Sequence, residues 1–156
     1  MAMNASDRRR PISIRPALAD DYPAIVLVWR AAGLKPDLTA RDSERAFLSQ
    51  LARFASSYLV ATEGDRIVGV VLGSHDERKG WINRLAVTPE CQRRGIATAL
   101  ARECETALRA AGMPILAALV EPENAASRRV FEKLGYATDV EVTYFRKLGR
   151  PGLERH

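Results

Sequence analysis

The stretch Gln92-Arg-Arg-Gly95-Ile-Ala97-Thr98 holds what a phosphate site needs. Arg93 and Arg94 bring positive charge. Gly95 lets backbone approach another group with no side chain between them. An amphipathic helix starts at Ile96, and the first amides of any helix are unpaired and carry the positive end of its dipole. Backbone N–H groups feeding that end form a cradle for phosphate. Just upstream, Leu85, Ala86 and Val87 are apolar and strand-like, and Pro89 stops the strand by removing a donor. The spacing differs from a dinucleotide fingerprint, which has three glycines, and from a P-loop, which closes on Gly-Lys-Ser/Thr. A basic helix start with a solvated face is the plain alternative.

Periodicity predicts the elements that would position this loop. Residues 1–10 read as a leader, 11–148 as one domain and 149–156 as a tail. Ile12 and Ile14, running to Pro16, predict a first strand. Asp20 or Asp21 can cap a helix that tolerates Pro23 in its first turn, buries Ile25, Val28, Trp29 and Ala32, and stops at Gly33. A second helical pattern covers about 41–54. Tyr58–Thr62 and Arg66–Leu72 read as a hairpin around Glu63-Gly64-Asp65. A strand from Trp81 to Val87 follows the turn at Lys79-Gly80. Ile96, Leu100, Cys104, Leu108 and Ala111 predict a helix ended by Gly112. Ile115–Val120 reads as a short buried strand. Asn124 can cap a last helix ended by Gly135, and Val140, Val142 and Tyr144 alternate as a final strand. The order β-α-α-β-β-β-α-β-α-β is that of a mixed α/β layer structure.

Composition narrows the class of function. With 156 residues and 47% of them apolar, the chain can bury a core without staples. Its longest apolar runs are too short to span a bilayer and none follows Arg8-Arg-Arg10 as a signal peptide would, so a cytoplasmic location is expected. The net charge of +5 places three charges in that leader, and no basic stripe with aromatic partners suggests nucleic acid. Cys91 and Cys104 have no metal-ligand spacing; both are expected to fill space.

Two motifs together carry a resemblance. The loop Gln92-x-x-Gly95-x-Ala97 resembles the pyrophosphate loop of the GCN5-related N-acetyltransferases, the GNAT family. The segment Pro122-Glu-Asn124-Ala-Ala-Ser-Arg-Arg-Val-Phe131-Glu-Lys-Leu-Gly-Tyr136 is similar to that family's second cofactor motif, where an Asn opens a helix and Leu-Gly-Phe/Tyr closes it. The likeness covers residues 12–147, most closely to small single-domain bacterial acetyltransferases. It implies a GNAT fold: a mixed central sheet of about six to seven strands flanked by four helices. It also implies acetyl-coenzyme A as co-substrate. Backbone of Leu85, Ala86 and Val87 would pair with the pantetheine arm as a further strand would. The amides from Gln92 through Arg93, Arg94, Gly95, Ile96 and Ala97 to Thr98 would hold the pyrophosphate, and Asn124 and Phe131 would flank the arm. A backbone N–H near Val87 would serve the oxyanion.

The chain departs from the family in its acid and base. Where relatives carry a Tyr seven residues after the Asn, this chain has Phe131, which cannot donate a proton. Where some carry a Glu five residues before the Asn, it has Leu119; on the strand before the loop, where others place a Glu, it has Asn83 and Arg84. Glu121 through water, Tyr136 and Asn83 are the substitute catalytic candidates, with Tyr144 and His75 behind them. Trp29, Arg30, Leu34, Asp37 and Asp42 are candidate acceptor-pocket residues, Asp37 or Asp42 as an attraction for a cationic amine. Deprotonating a lysine-like amine at pH 7 costs roughly 4.6 kcal/mol, whereas a terminal α-amine costs roughly 1–1.4 kcal/mol. A site with no placed carboxylate therefore favours low-pKa amines. The expected function is acetyl transfer from acetyl-coenzyme A to a primary amine, small or at a peptide or protein N-terminus, with a homodimer compatible with exposed strand edges. The alternative is an acetyl-coenzyme A sensor or partner protein without turnover.

Overall fold

The computed structural model describes residues 9–138 and 141–149. Five strands form one sheet in sequential order: β1 (Ile12–Pro16), β2 (Tyr58–Glu63), β3 (Arg66–His75), β4 (Gly80–Val87) and β5 (Leu116–Ala117). The first four pair antiparallel and β5 runs parallel to β4. Four α-helices flank the sheet: α1 (Tyr22–Ala31), α2 (Glu44–Arg53), α3 (Ile96–Ala110) and α4 (Ala125–Lys133).

Strand alternation sends side chains to two cores. Tyr58, Val60, Val70 and Leu72 meet Ile25, Val28, Trp29 and Phe47 of α1 and α2. Leu59, Ala61, Val68 and Val71 meet Ile96, Leu100, Cys104 and Leu108 of α3, with Phe131 of α4. Both faces are covered, so β2 and β3 read as almost unbroken apolar runs. A register shift at Ala61/Thr62 lets Ile67 and Val70 face the same core.

Helix α3 crosses β3 at its glycines. A Cβ at Gly69 would sit 2.9 Å from Leu100 Cδ1, and one at Gly73 would sit 2.5 Å from Cys104 Sγ. Glycines four apart on the strand thus receive side chains four apart on the helix. Burial pushes the Cys104 thiol up to about 12, which makes it an inert space-filler.

Asp21 precedes α1 but does not cap it with its side chain. Its carboxylate instead accepts from Leu18 N–H at 2.8 Å and from Arg15 at 2.7 and 3.0 Å. The Arg15 guanidinium chiefly holds this carboxyl below its ordinary range. A depressed folded pKa adds stability above the unfolded value near 3.8 that is lost as pH falls through the folded one. Asp21→Asn should therefore flatten the acid limb of a Tm-against-pH curve below about pH 4, and an unchanged limb would refute the assignment.

The sheet is shorter at its far edge than expected. The strand foreseen over Ile115–Val120 pairs only at Leu116 and Ala117, and the described residues hold five strands where six to seven were expected. Val140 lies outside the described residues. Residues 141–148 carry no strand, and Val142 and Tyr144 are exposed. Alternation creates a strand only beside a paired edge, and β5 offers two residues of one.

Candidate active site

The fold opens a gap beside β4. Strand β5 pairs only at Gly80 and Trp81, so the edge from Ile82 to Val87 has no neighbouring strand among the described residues. The Thr88 N–H donates inward to Val68 O at 2.9 Å. Strand alternation then turns the N–H of Val87 onto the open edge. The carbonyl of Val87 accepts from Gln92 Nε2 at 3.1 Å, which ties the loop to the strand end. A bulge re-aims this stretch: Val70 faces Ala86 but Leu72 faces Asn83, and Arg84 takes a positive φ of 53°.

The loop leads directly into α3. Gly95 is its N-cap at φ 76°, a left-handed conformation that favours glycine. No side chain caps the first turn and no acidic residue stands in it. The first helical bond runs from Ala99 N to Gly95 O at 3.0 Å, so the N–H groups of Ile96, Ala97 and Thr98 have no helical acceptor. Arg93 lines the adjoining cleft. The Arg94 side chain does not: it pairs with Glu63 at 2.9 Å and donates to Cys91 Sγ at 3.7 Å. Arg94 therefore anchors the loop to β2, and only its backbone is left for phosphate.

The cleft encloses about 1660 Å³. Leu85, Ala86 and Val87 form one side, Gln92, Arg93, Gly95, Ile96, Ala97 and Thr98 one end, and α4 the other side through Asn124 and Phe131. Asn124 caps α4, its Oδ1 accepting from Ser127 N at 3.1 Å, so its amide NH2 stays available. Phe131 is 7% exposed and forms a floor.

The catalytic candidates separate here. Asn83, Leu119, Glu121 and Tyr144 all line the cleft. Asn83 Nδ2 donates to Ser74 Oγ at 3.2 Å. Tyr136 does not line it: its ring packs edge-on against Phe131 at 5.1 Å, and its hydroxyl is buried facing Glu105 of α3. That burial raises its pKa, the reverse of what an accessible acid needs. The Leu-Gly turn that ends α4 swings Tyr136 back under the helix. His75 ends β3 against Phe54, outside the cleft.

The acceptor side differs most from expectation. Ser43, not Asp42, caps α2 by accepting from Ala46 N. Asp37 turns its carboxylate to Thr39. Asp42 is 5% exposed and is committed to Arg84 and to Asp37 N–H. Asp42 is closed to a cationic amine, and neither acid lines the cleft. Arg84, in turn, lines the cleft with its guanidinium 5.3 Å from the Trp29 ring centroid. Nothing local in the sequence marks this group, because Asp42 and Trp29 lie far from it along the chain.

An unpaired strand edge leading to an uncapped helix start suits a long ligand with a peptide-like arm and a diphosphate. Comparisons agree with that shape. The model of the Acetyltransferase (GNAT) family matches residues 17–136. An acetyltransferase of Pectobacterium atrosepticum is 33% identical over 138 residues, covering 88% of this chain and 96% of that one. Among solved structures, Ard1 from Thermoplasma volcanium superposes with a TM-score of 0.71 at 20% identity over 81% of this chain and 82% of the other. The PaiA N-acetyltransferase from Thermoplasma acidophilum, solved in complex with coenzyme A, gives 0.71 at 19% identity over 80% and 88%. Motifs, fold and full-length relatives converge, and the chain belongs to the GNAT acetyltransferase family.

Proposed function

We propose that this protein transfers the acetyl group of acetyl-coenzyme A to a primary amine, of a small molecule or a peptide N-terminus, by direct attack with both substrates bound. The observation that carries the reading is the continuous path from the open Leu85–Val87 edge to the uncapped start of α3, within one cleft. The residues present fit the co-substrate, which supplies an activated acyl thioester. Leu85 and Val87 would hold the pantetheine arm, the Ile96, Ala97 and Thr98 amides the diphosphate, and Asn124 the arm from the opposite side.

The remaining groups divide the proton work. The Val87 N–H donates to the oxygen on which negative charge develops. Glu121 takes the ammonium proton through water, and Asn83 orients that water or the amine. Tyr144 replaces Tyr136 as donor of a proton to the sulfur, because it shares the cleft and Tyr136 does not. This division of labour favours amines that lose a proton cheaply.

Thiol release from acetyl-coenzyme A across a panel of amines tests the reading. Turnover at pH 7 is expected, faster with α-amines than with lysine side-chain amines. Binding without release for every amine would make the protein a sensor. Tyr144→Phe should lower kcat about 100-fold with KM for acetyl-coenzyme A within about twofold. An unchanged kcat would remove Tyr144 as the acid.

A further inference from the structure

The two walls beside Asn83 and Val87 differ in charge. One is the α1–α2 connection, with Lys35 and Arg41, together with Arg84 of β4; the other carries Glu121 and Glu123 ahead of α4 and Arg129 and Lys133 on it. On the first wall a single carboxylate serves two guanidiniums. Asp42 Oδ2 accepts from Arg84 and lies 3.6 Å from Arg41 Nε, and it also accepts from Asp37 N–H at 2.8 Å. One positive charge is left over at that wall. That surplus rests on Arg41, whose side chain is 55% exposed to solvent, while Arg84, 18% exposed, is the member paired with Asp42 and held at the cleft.

Arg84 is also held in place. Trp29 lies against its guanidinium, Asp42 takes one N–H, and the bulge fixes its backbone at φ 53°. A guanidinium carries five N–H donors in a rigid fork, so donors remain for an anion in the cleft. A preoriented fork matches a carboxylate in two-point fashion. The opposite wall offers carboxylates that suit an ammonium.

We infer that the acceptor is a zwitterion of the amino-acid class, its carboxylate held by Arg84 beside Arg41 and its amine turned toward Glu121. The inference rests on the acetyl-transfer reading and narrows its substrate. Polycationic amines are disfavoured, because Asp42 is spent on Arg84, Asp37 lies outside the cleft lining, and the wall beside them is positive.

The test uses the full chain and steady-state thiol release. Each of the common L-amino acids is compared with its own carboxamide at equal free-amine concentration, because the carboxylate makes the acid's amine the more basic of the two, and a linear polyamine serves as the cationic control. For the best side chain, the acid should exceed its carboxamide by about 10- to 100-fold in kcat/KM, mostly through KM. Arg84→Gln should collapse that ratio toward one, with KM for acetyl-coenzyme A held within about twofold. Because Arg84→Gln strands a buried carboxylate, R84Q/D42N is measured beside it, and it should collapse the ratio equally. Equal turnover of acid and carboxamide, preferred turnover of the polyamine, or a ratio that survives both variants overturns the inference while leaving acetyl transfer intact. Absence of release with every amine, while coenzyme A still binds, overturns both.

Discussion

Coenzyme A uptake should be lost in Ala97→Asp while the protein melts at or slightly above the parent temperature. Ala97 stands in the first turn of α3, where no acid and no side-chain cap are present. A carboxylate there completes the helix dipole, worth about 0.3–1 kcal/mol, which raises Tm by roughly 1–4 °C in a chain of this size. The same charge meets the diphosphate. At about 5 Å and an effective dielectric constant near 20, one pair of like charges repels by about 3 kcal/mol, on the order of a hundredfold in affinity. Stability and binding thus move in opposite directions, which a misfolded variant cannot imitate. Ala97→Asn separates bulk from charge: its loss should be smaller, and the gap between Asn and Asp should shrink as salt rises. Calorimetric titration and a thermal scan decide it. If coenzyme A binds A97D as it binds the parent, the phosphate site is elsewhere.

Gly73→Val should cost about 3 kcal/mol, roughly 6–12 °C in Tm. The cause is space, not backbone strain. A Cβ at this position would lie 2.5 Å from Cys104 Sγ, 2.8 Å from Ser57 Cβ and 3.2 Å from Ser57 O. Both neighbours are buried, and Ser57 is fixed by its hydroxyl donating to Gly73 O at 2.8 Å. The helix could lift away from the sheet, but Leu100 closes on Gly69 in the same way. Cys104→Ala removes the nearest atom, so Gly73→Ala should cost less in the Cys104→Ala background, with a coupling of about 0.5–3 kcal/mol. Additive costs in denaturant melts would show that α3 does not rest on these glycines. Since the proposed phosphate cradle is the first turn of α3, the docking that sets stability also sets where that turn points.

Three of these features differ in how far they could be read along the chain. The α3 start needed only local information: Gly95, the absence of an acid after it, and the apolar positions from Ile96 onward specify a helix with open amides wherever it lies. The β4 edge needed one step more. That Leu85–Val87 form a strand was legible, but that they lack a partner depends on β5 stopping at Ala117. Arg84 was not legible at all. Its role rests on Asp42, Trp29 and a bulge, three groups joined only through the sheet and the α1–α2 connection. The tyrosines divide for the same reason. Tyr136 and Tyr144 are equivalent as residue types, and only the fold buries one against α3 and leaves the other exposed along the cleft.

Sequence by itself determined the element types through β4, the helix stops at glycine and the open amides at the start of α3, because propensity, capping and periodicity act over a few residues. Tertiary structure alone decided which acids remain available, which tyrosine reaches the cleft and which wall is positive. Those outcomes depend on which side chains the fold brings within hydrogen-bond reach, and no local pattern encodes that.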